Sequence, residues 1–281
     1  MSADLITILG PTACGKTSLA VKLAIEFNGE IISADSRQVY RRMNIGTGKD
    51  LEDYNLNGTN VRHHLIDIVD PDQEFNLFEF HTLFYRAFEQ IRERNKLPFL
   101  AGGTGLYLSS ILQNYKLNRT DFSSGRAEEL NRFNIETLRE ILLSKKVGIH
   151  NKTDLIDKDR IIKAILVAEA GPEESDIFPE INPLVIGIKA GRDIIKKRIT
   201  ERLKKRLAAG MIEEVEDLIN TGITFEKLNF FGLEYKYIGL YLKGELNYND
   251  MFRKLNSAIH NFAKRQMTWF RKMEREGVNI N

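Results

Sequence analysis

The chain has 281 residues, of which 42% are hydrophobic and 28% are charged, which is ordinary for a globular protein built as one large domain or as one domain with an insertion. The formal net charge is only +2 at pH 7, so an anionic partner must be bound by local basic patches and not by the surface as a whole. A single cysteine, Cys14, excludes an intramolecular disulfide and a cysteine-rich zinc site. No signal peptide or membrane-spanning run is visible, so we expect a cytoplasmic protein with no membrane partner.

Short apolar runs alternate with helical patterns over about the first 115 residues. The runs DLITIL, EIIS and LPFLAGG are typical of strands. The stretches GKTSLAVKLAIEF and LFEFHTLFYRAFEQIRERN, and the stretch after Thr104, are typical of helices. This alternation predicts an α/β fold in which a parallel sheet carries helices on both faces.

A segment of different character interrupts the alternation. From residue 117 to residue 182, short charged helical patterns such as RAEELNRF, IETLREILLSKK and DRIIKAILVAEA replace the strand-like runs. The run NPLVIGIKA then predicts a strand that returns to the core, and two charged helices and a basic helix from Tyr248 to Arg275 follow. We therefore expect a core of residues 1–116 and 183–281 with a small all-helical insertion domain at 117–182.

The sequence GPTACGKT matches the phosphate-binding pattern G-x-x-x-x-G-K-[ST] and lies between a predicted strand and a predicted helix. Its glycines permit backbone conformations in which successive N–H groups point at phosphate oxygens. The lysine adds a mobile cation, the last threonine adds a hydroxyl suited to Mg²⁺, and the helix N-terminus adds partial positive charge. The expected phosphate-binding residues are Gly10, Pro11, Thr12, Ala13, Cys14, Gly15, Lys16 and Thr17. The pattern predicts a site for two adjacent phosphates and a metal ion, and not for ATP specifically.

Two polar segments that follow predicted strands are candidates for the chemistry. Asp35, in ISADSRQVYRRMNIGTGKD, is either a catalytic carboxylate or the N-cap of the turn that follows. The segment FLAGGTGLYL ends another strand, and its Thr104 offers a hydroxyl beside two glycines. No acid stands at that strand end, where ATP- and GTP-hydrolysing folds commonly hold a metal-binding carboxylate, and this disfavours a simple kinase.

One four-residue match points to a different class of protein. NKTD at residues 151–154 spells the guanine-reading signature of GTPases. In GTPases the signature follows a buried strand, whereas here it follows the polar, helical sequence SKKVGIH, and no convincing D-x-x-G switch precedes it. A GTPase is therefore disfavoured.

Six motifs occur in an order that resembles one enzyme family: GPTACGKTSLA, ISADSRQVYRRMNIGT, HHLIDIVDP, FLAGGTGLYL, RITERLKKRLAAGMIEEV and FAKRQMTWFR. From Leu5 to about Arg271 the chain is similar to the tRNA dimethylallyltransferases, also called tRNA isopentenyltransferases. The resemblance implies a P-loop NTPase-like core and dimethylallyl diphosphate as the donor. It also implies, as acceptor, the exocyclic amine of the adenosine 3′-adjacent to the anticodon. The leading rival is a small-molecule or nucleotide kinase on the same core.

The resemblance implies roles for the two candidate catalytic residues. The family aspartate that matches Asp35 is the general base for the amine, a contribution worth roughly 10²–10⁴-fold in rate. Thr104 matches the family's threonine after two glycines and is expected to hydrogen-bond near the reacting amine.

The departing diphosphate needs positive charge around it. Lys16, the loop amides and Mg²⁺ bound through Thr17 are suited to this role. The family pattern also places an arginine of the helix containing KRITER on the diphosphate. Arg198 and Arg202 lie four residues apart on one face of that helix, and we favour Arg198 without excluding Arg202.

The resemblance further implies contacts with the anticodon arm of tRNA, whose target base must leave the stack to be modified. The expected tRNA-binding residues are Asp35, Ser36, Arg37, Gln38, Thr104, Arg126, Asp159, Arg160, Ile161, Ile162 and Lys163. Lys163 and the pair Ile259–His260 stand where the family usually has arginine and a Thr-Arg pair, so tRNA recognition is less well supported than the chemistry. Trp269 and Phe270 are expected in the core, and we expect a monomer because one RNA arm requires no second subunit.

Overall fold

A computed structural model of the protein describes residues 3–117, 119–122, 124–145, 155–170 and 178–281. Contacts within the chain divide it into two compact units. The first comprises Met1–Tyr115 with Glu180–Asn281, and the second comprises Lys116–Pro179. Within the described ranges, no helix has both the length and the apolar character that crossing a bilayer requires.

The first unit is built on a five-stranded parallel sheet. The strands of the chain are β1 Leu5–Leu9, β2 Gly29–Ala34, β3 Asn55–Leu56, β4 Thr59–Asn60, β5 His63–His64, β6 Leu97–Gly102 and β7 Pro183–Gly187. β3 and β4 form a small antiparallel pair, and the other strands form the sheet in the order β5-β2-β6-β1-β7. The α/β fold predicted from the alternation is confirmed, and the run NPLVIGIKA contains the edge strand β7.

Helices form most of the remaining regular structure in the described residues. They are α1 Lys16–Glu26, α2 Leu77–Glu93, α3 Gly105–Leu112, α4 Gly125–Asn131, α5 Ile135–Ser144, α6 Lys158–Ala170, α7 Arg192–Ala208, α8 Met211–Asn220, α9 Phe225–Phe231, α10 Leu233–Leu242 and α11 Tyr248–Arg275. A short 3₁₀ helix, Leu51–Tyr54, precedes β3. The predicted basic helix is present as α11, whereas α9 and α10 occupy a stretch for which the sequence predicted no helix.

β1 is apolar except for Thr7, as is typical of a strand in a parallel sheet that is covered on both faces. Every residue of β1 and of β2 is buried. Helix α2 buries Phe80, Phe84 and Phe88 along one side, since its apolar residues recur with the helical period. Asn76 and Glu79 close its N-terminus as a capping box. A packed core therefore holds the strand ends that carry the candidate residues.

A buried carboxylate lies near the amino end of β2, away from the candidate residues. Glu30 is 2% exposed, and it accepts hydrogen bonds from Arg94 over 2.7 and 3.1 Å. His64 Nε2 of β5 lies 2.7 Å from the same carboxylate. Burial by itself raises the pKa of Glu30, but the hydrogen bonds with Arg94 and His64 outweigh it and lower the pKa to about 2. This network joins β2 to β5 and to the end of α2.

The second unit is helical in its described residues, which contain α4, α5 and α6. Its core is formed by Leu130, Leu138, Leu142, Ile161, Ile162, Ile165 and Leu166. Asn134 caps α5 by accepting a hydrogen bond from the N–H of Thr137 over 2.8 Å. The GTPase-like match at residues 151–154 lies outside the described residues.

Candidate active site

Three loops start from one edge of the sheet because the strands before them are neighbours. In the register of the sheet, Gly102 at the end of β6 is opposite Leu9 of β1 on one side and Ala34 of β2 on the other. Three segments therefore leave the sheet at adjacent points: the loop after β1, the segment that begins at Asp35, and the segment that contains Thr104. The carboxyl ends of parallel strands are where α/β folds place functional loops.

Residues 10–17, which we call loop 10–17, include left-handed backbone conformations of the kind that their glycines permit. Ala13 and Gly15 are both in the left-handed region, with φ of 63° and 93°. Gly10 has no space for a side chain, because a Cβ there would lie 2.8 Å from Cys14 Sγ and 2.9 Å from the carbonyl oxygen of Ile188. Cys14 is buried and packs as a small side chain.

Lys16 and Thr17 are the last two residues of loop 10–17 and also the first two residues of α1. Lys16 Nζ donates a hydrogen bond to the carbonyl oxygen of Pro11 over 2.9 Å, so the ammonium group lies over its own loop. Burial lowers the pKa of Lys16. The half-buried Thr17 has no hydrogen bond from its hydroxyl within the described chain, which leaves a hard oxygen ligand available.

These donors fit Mg²⁺ that arrives with a diphosphate. Among the described residues, no cluster of three His, Cys, Asp or Glu side chains would hold a metal ion by itself. Mg²⁺ usually keeps several waters and takes only one or two protein ligands beside substrate phosphates, so a hydroxyl at position 17 is compatible with such a site.

Asp35 and Thr104 are joined through Ser36. The N–H of Ser36 donates to Thr104 Oγ1 over 3.0 Å, and the N–H of Thr104 donates to the carbonyl oxygen of Ala34 over 3.1 Å. Asp35 Oδ1 accepts from the N–H of Arg37 over 2.9 Å, which is a turn-capping contact. Within the described residues, Asp35 Oδ2 accepts no hydrogen bond. The carboxylate therefore caps a turn with one oxygen and keeps the other for a substrate.

The side chains of Arg37 and Gln38 both contact other residues of this chain. The guanidinium carbon of Arg37 lies 4.8 Å from the centroid of the Phe230 ring, and burial lowers the pKa of Arg37. Gln38 accepts from Ser33 Oγ over 3.1 Å and donates to the carbonyl oxygen of Gly48 over 3.0 Å. These contacts hold the segment after β2 against other parts of the first unit.

Of the two arginines considered for the diphosphate, Arg202 contacts loop 10–17. One of its terminal nitrogens donates a hydrogen bond to Thr12 Oγ1. Burial, and then the neighbouring charge of Arg206, lower the pKa of Arg202 to about 10. Arg198 lies one turn before Arg202 on α7; it is exposed and makes no hydrogen bond or ion pair within the described residues. The geometry therefore favours Arg202 and does not support the preference for Arg198.

Gln266 is a site residue that the sequence analysis did not single out, although it lies in the motif FAKRQMTWFR. It belongs to α11 and is 7% exposed. Its Oε1 accepts from the N–H of Thr12 over 2.8 Å, and its Nε2 donates to the carbonyl oxygen of Gly103 over 2.9 Å. The motif was a signal for this residue, but only the fold shows what the amide contacts.

The two aromatic residues that follow Gln266 differ in burial. Phe270 is buried in the core, as expected. Trp269 is half-buried, and its Nε1 donates to Ser109 Oγ of α3 over 2.8 Å. Its indole therefore packs between α11 and α3 and does not lie wholly in the core.

In the second unit, Arg126 is engaged by two carboxylates. Its Nε and one terminal nitrogen each donate to Glu169 over 3.0 Å, and the other terminal nitrogen lies 2.7 Å from Glu129. Hydrogen bonds to Glu169 and Glu129 raise the pKa of Arg126. An RNA phosphate would have to compete with these carboxylates for the guanidinium group.

The segment 159–163 of α6 divides between surface and core. Asp159, Arg160 and Lys163 are exposed. Ile161 and Ile162 are 0% and 7% exposed and belong to the core of the second unit. Contact of Ile161 and Ile162 with tRNA stays a prediction, and their buried side chains leave the exposed face of α6 to present side chains to a partner.

The chain matches the family model described as IPP transferase over residues 38–273. It is 51% identical to a protein of Syntrophus aciditrophicus named tRNA dimethylallyltransferase 1, over 100% of this chain and 93% of that protein. It is 54% identical to a protein of the same name from Geotalea daltonii, over 100% of this chain and 91% of that protein.

Two solved structures share the fold. The full-length tRNA isopentenylpyrophosphate transferase of Bacillus halodurans is 34% identical, with a TM-score of 0.71, over 100% of this chain and 89% of that chain. A structure described as a eukaryotic dimethylallyltransferase acting on tRNA is 24% identical, with a TM-score of 0.74, over 95% of this chain and 70% of that chain. The family indicated by the six sequence motifs is confirmed, and the chain belongs to the IPP transferase family.

Proposed function

We propose that this protein transfers the dimethylallyl group of dimethylallyl diphosphate to the exocyclic amine of the adenosine 3′-adjacent to the anticodon of tRNA, and releases diphosphate. Membership of the family makes the protein a prenyl-transferring enzyme, and the relatives carry the name tRNA dimethylallyltransferase. One observation carries the proposal. Asp35 and Thr104, linked through Ser36, stand beside loop 10–17 at a single edge of the sheet.

Loop 10–17 is suited to hold the diphosphate of the donor. Its left-handed residues and the N-terminus of α1 provide backbone dipoles, and Lys16 and Arg202 provide two cations at the loop. These groups would stabilise the negative charge that grows on the diphosphate as the bond to the allylic carbon breaks. Mg²⁺ held by the Thr17 hydroxyl would, when bound, add charge neutralisation at the same phosphates.

The acceptor side of the site must activate a weak nucleophile, because the lone pair of an aromatic exocyclic amine is delocalised into the ring. The amine nitrogen attacks the allylic carbon, a C–N bond forms, the C–O bond to diphosphate breaks, and the nitrogen loses a proton. Asp35 takes that proton through Oδ2, the oxygen that caps no turn. As a donor within the described residues, the Thr104 hydroxyl makes only a long 3.5 Å contact with Ser36 Oγ, so its hydrogen is available to orient the amine.

The tRNA contacts belong to both units. An adenosine inside an anticodon arm is reached by pulling the base out of the stack, and single-stranded loops are then read by hydrogen bonds and stacking. The exposed side chains of Arg160 and Lys163, together with Arg126, supply cations for phosphate contacts. We further propose that the protein is a cytoplasmic monomer. Size-exclusion chromatography with light scattering measures its molar mass in solution and so tests the oligomeric state.

A kinase on the same core is the second candidate. The segment Gly102–Gly103–Thr104 ends β6 without a carboxylate to hold a nucleotide-bound metal, which disfavours it. The deciding experiment incubates the protein and Mg²⁺ with unmodified tRNA and dimethylallyl diphosphate, or with ATP in a parallel arm. Mass analysis of the digested nucleosides should find dimethylallyl adenosine only in the first arm. Phosphoryl transfer from ATP without prenylation would overturn the proposal.

A further inference from the structure

We propose that Gln266 is a positioning residue that couples loop 10–17, which holds the donor, to the segment that contains Thr104, which faces the acceptor. The inference rests on the proposed function, since it concerns how the two halves of that site are held in register. Gln266 lies on α11, far from both loops in sequence, yet its single amide contacts both of them.

The amide uses each of its polar atoms once. Oε1 accepts from the N–H of Thr12 in loop 10–17 over 2.8 Å, and Nε2 donates to the carbonyl oxygen of Gly103 over 2.9 Å. Because both atoms are bonded to one planar carbon, the separation of the two backbone groups is set by the covalent geometry of a side chain. Gln266 is 7% exposed, so water does not readily replace either bond.

The contact with Gln266 leaves no room for a side chain at residue 103. A Cβ at residue 103 would lie 2.3 Å from Gln266 Nε2, so the amide occupies the space that a side chain would need. A Cβ at residue 105 would lie 2.3 Å from Cγ of Trp269, one turn further along α11. The same face of α11 therefore fixes the residues immediately before and after Thr104.

Hydrogen bonds and short covalent links connect Arg202, on the diphosphate side of the site, to Thr104, on the amine side. Arg202 donates to the Thr12 hydroxyl, and the Thr12 N–H donates to Gln266. Gln266 donates to Gly103, and the next residue, Thr104, accepts from Ser36. A displacement of loop 10–17 therefore moves the hydroxyl that is to orient the amine. Such displacement matters, because a misplacement of about 1 Å can cost about 10²-fold in rate.

The test compares Gln266→Met, which removes both polar atoms at similar length, with Gln266→Glu, which keeps an acceptor for Thr12 but places an oxygen against the Gly103 carbonyl. Gln90→Met and Gln90→Glu at an exposed position of α2 are the matched controls. The readouts are the single-turnover rate constant at saturating donor and tRNA, the Kd values of Mg²⁺-diphosphate and of tRNA, and amide hydrogen exchange of both loops.

Both Gln266 variants should lose about 10- to 100-fold in single-turnover rate, with the Kd of tRNA unchanged within about threefold. Gln266→Met should also raise the Kd of diphosphate by about 2- to 10-fold, the effect of one lost hydrogen bond. Hydrogen exchange should quicken in loop 10–17 and around residues 103–105 together, and the Gln90 variants should match the wild type.

The inference is overturned if a folded Gln266→Met protein keeps the wild-type rate, or if exchange quickens in α11 alone. If Gln266→Met does not fold, the volume-preserving Gln266→Glu decides by the same two criteria. Failure of the wild-type protein to prenylate tRNA would instead refute the proposed function, and the exchange measurement would still decide whether Gln266 holds the two loops together.

Discussion

The hydroxyl oxygen of Thr104 accepts a hydrogen bond from the N–H of Ser36 over 3.0 Å. This bond joins the end of β6 to the end of β2 one residue after Asp35. The N–H of Thr104 also donates to the carbonyl oxygen of Ala34, so two hydrogen bonds connect the ends of β6 and β2. The Asp35 carboxylate and the Thr104 hydroxyl are therefore held on connected segments. Because Asp35 caps its turn through Oδ1 and the proposed proton acceptor is Oδ2, mutation can separate the two roles.

Asp35→Asn keeps an oxygen that can accept from the N–H of Arg37 but removes the proton acceptor. We expect turnover to fall by about 10²–10⁴-fold while tRNA affinity stays within about threefold, because the turn remains capped. Single-turnover prenylation and tRNA titration measure the two quantities. The exposed Asp72→Asn is the control, and an Asp35→Asn protein with normal turnover would remove Asp35 from its assigned role.

Arg202→Gln should weaken the binding of Mg²⁺-diphosphate by about tenfold, because a cation that contacts loop 10–17 is lost. Arg198→Gln removes the same charge from the same helix at an exposed position and should change that Kd by less than about twofold. Isothermal titration with diphosphate measures both. Equal losses in the two variants would count against the geometric choice of Arg202.

Thr17→Val removes the hydroxyl and preserves the shape of the side chain, whereas Thr17→Ser preserves the hydroxyl. We expect Thr17→Val to raise the Mg²⁺ concentration that gives half-maximal activity by about tenfold, and Thr17→Ser to leave it nearly unchanged. Chelation with EDTA should abolish turnover in all three proteins. Identical Mg²⁺ dependence in the two variants would show that the hydroxyl is not a metal ligand.

If the guanidinium group of Arg126 contacts a phosphate, Arg126→Ala should weaken tRNA binding. The slope of log Kd against log salt concentration should also become less steep by about one unit. Because Glu169 competes for the same group at 3.0 Å, Glu169→Gln should tighten tRNA binding. Filter binding over a range of KCl concentrations measures both. Lys22→Gln, at an exposed position of α1, controls for the loss of one charge, and an unchanged slope in Arg126→Ala would exclude a phosphate contact.

Glu30→Gln should destabilise the protein at neutral pH by roughly 3 kcal/mol, because the pKa of Glu30 falls from 4.5 to about 2 on folding. A carboxylate with a depressed pKa adds stability above its unfolded pKa, and this stability is lost as pH falls towards the folded pKa. The difference in unfolding free energy between wild type and Glu30→Gln should therefore be constant above about pH 5 and shrink towards pH 2. Urea unfolding across this pH range measures it, with the exposed Glu89→Gln as control. A pH-independent difference would contradict the assignment.

The sequence by itself determined the features that depend on neighbouring residues. The runs DLITIL, EIIS and LPFLAGG were recognisable as strands of a parallel sheet, and the periodic pattern from Tyr248 to Arg275 was recognisable as a helix. Loop 10–17 was recognisable because glycine positions and a following helix are local properties. The six motifs were sufficient for the family, which the comparisons confirm.

Only the tertiary structure decided which side chains meet. Thr12 and Gln266 are 254 residues apart, and Thr12 and Arg202 are 190 apart, yet both pairs are hydrogen-bonded. No local pattern distinguishes Arg202 from Arg198, because both carry the same charge on one helix and the choice depends on which turn faces the loop. In the same way, the burial of Ile161 and Ile162 was decided by the packing of α6 against α4 and α5. Long-range packing selects among chemically equal candidates, and a linear pattern does not contain that information.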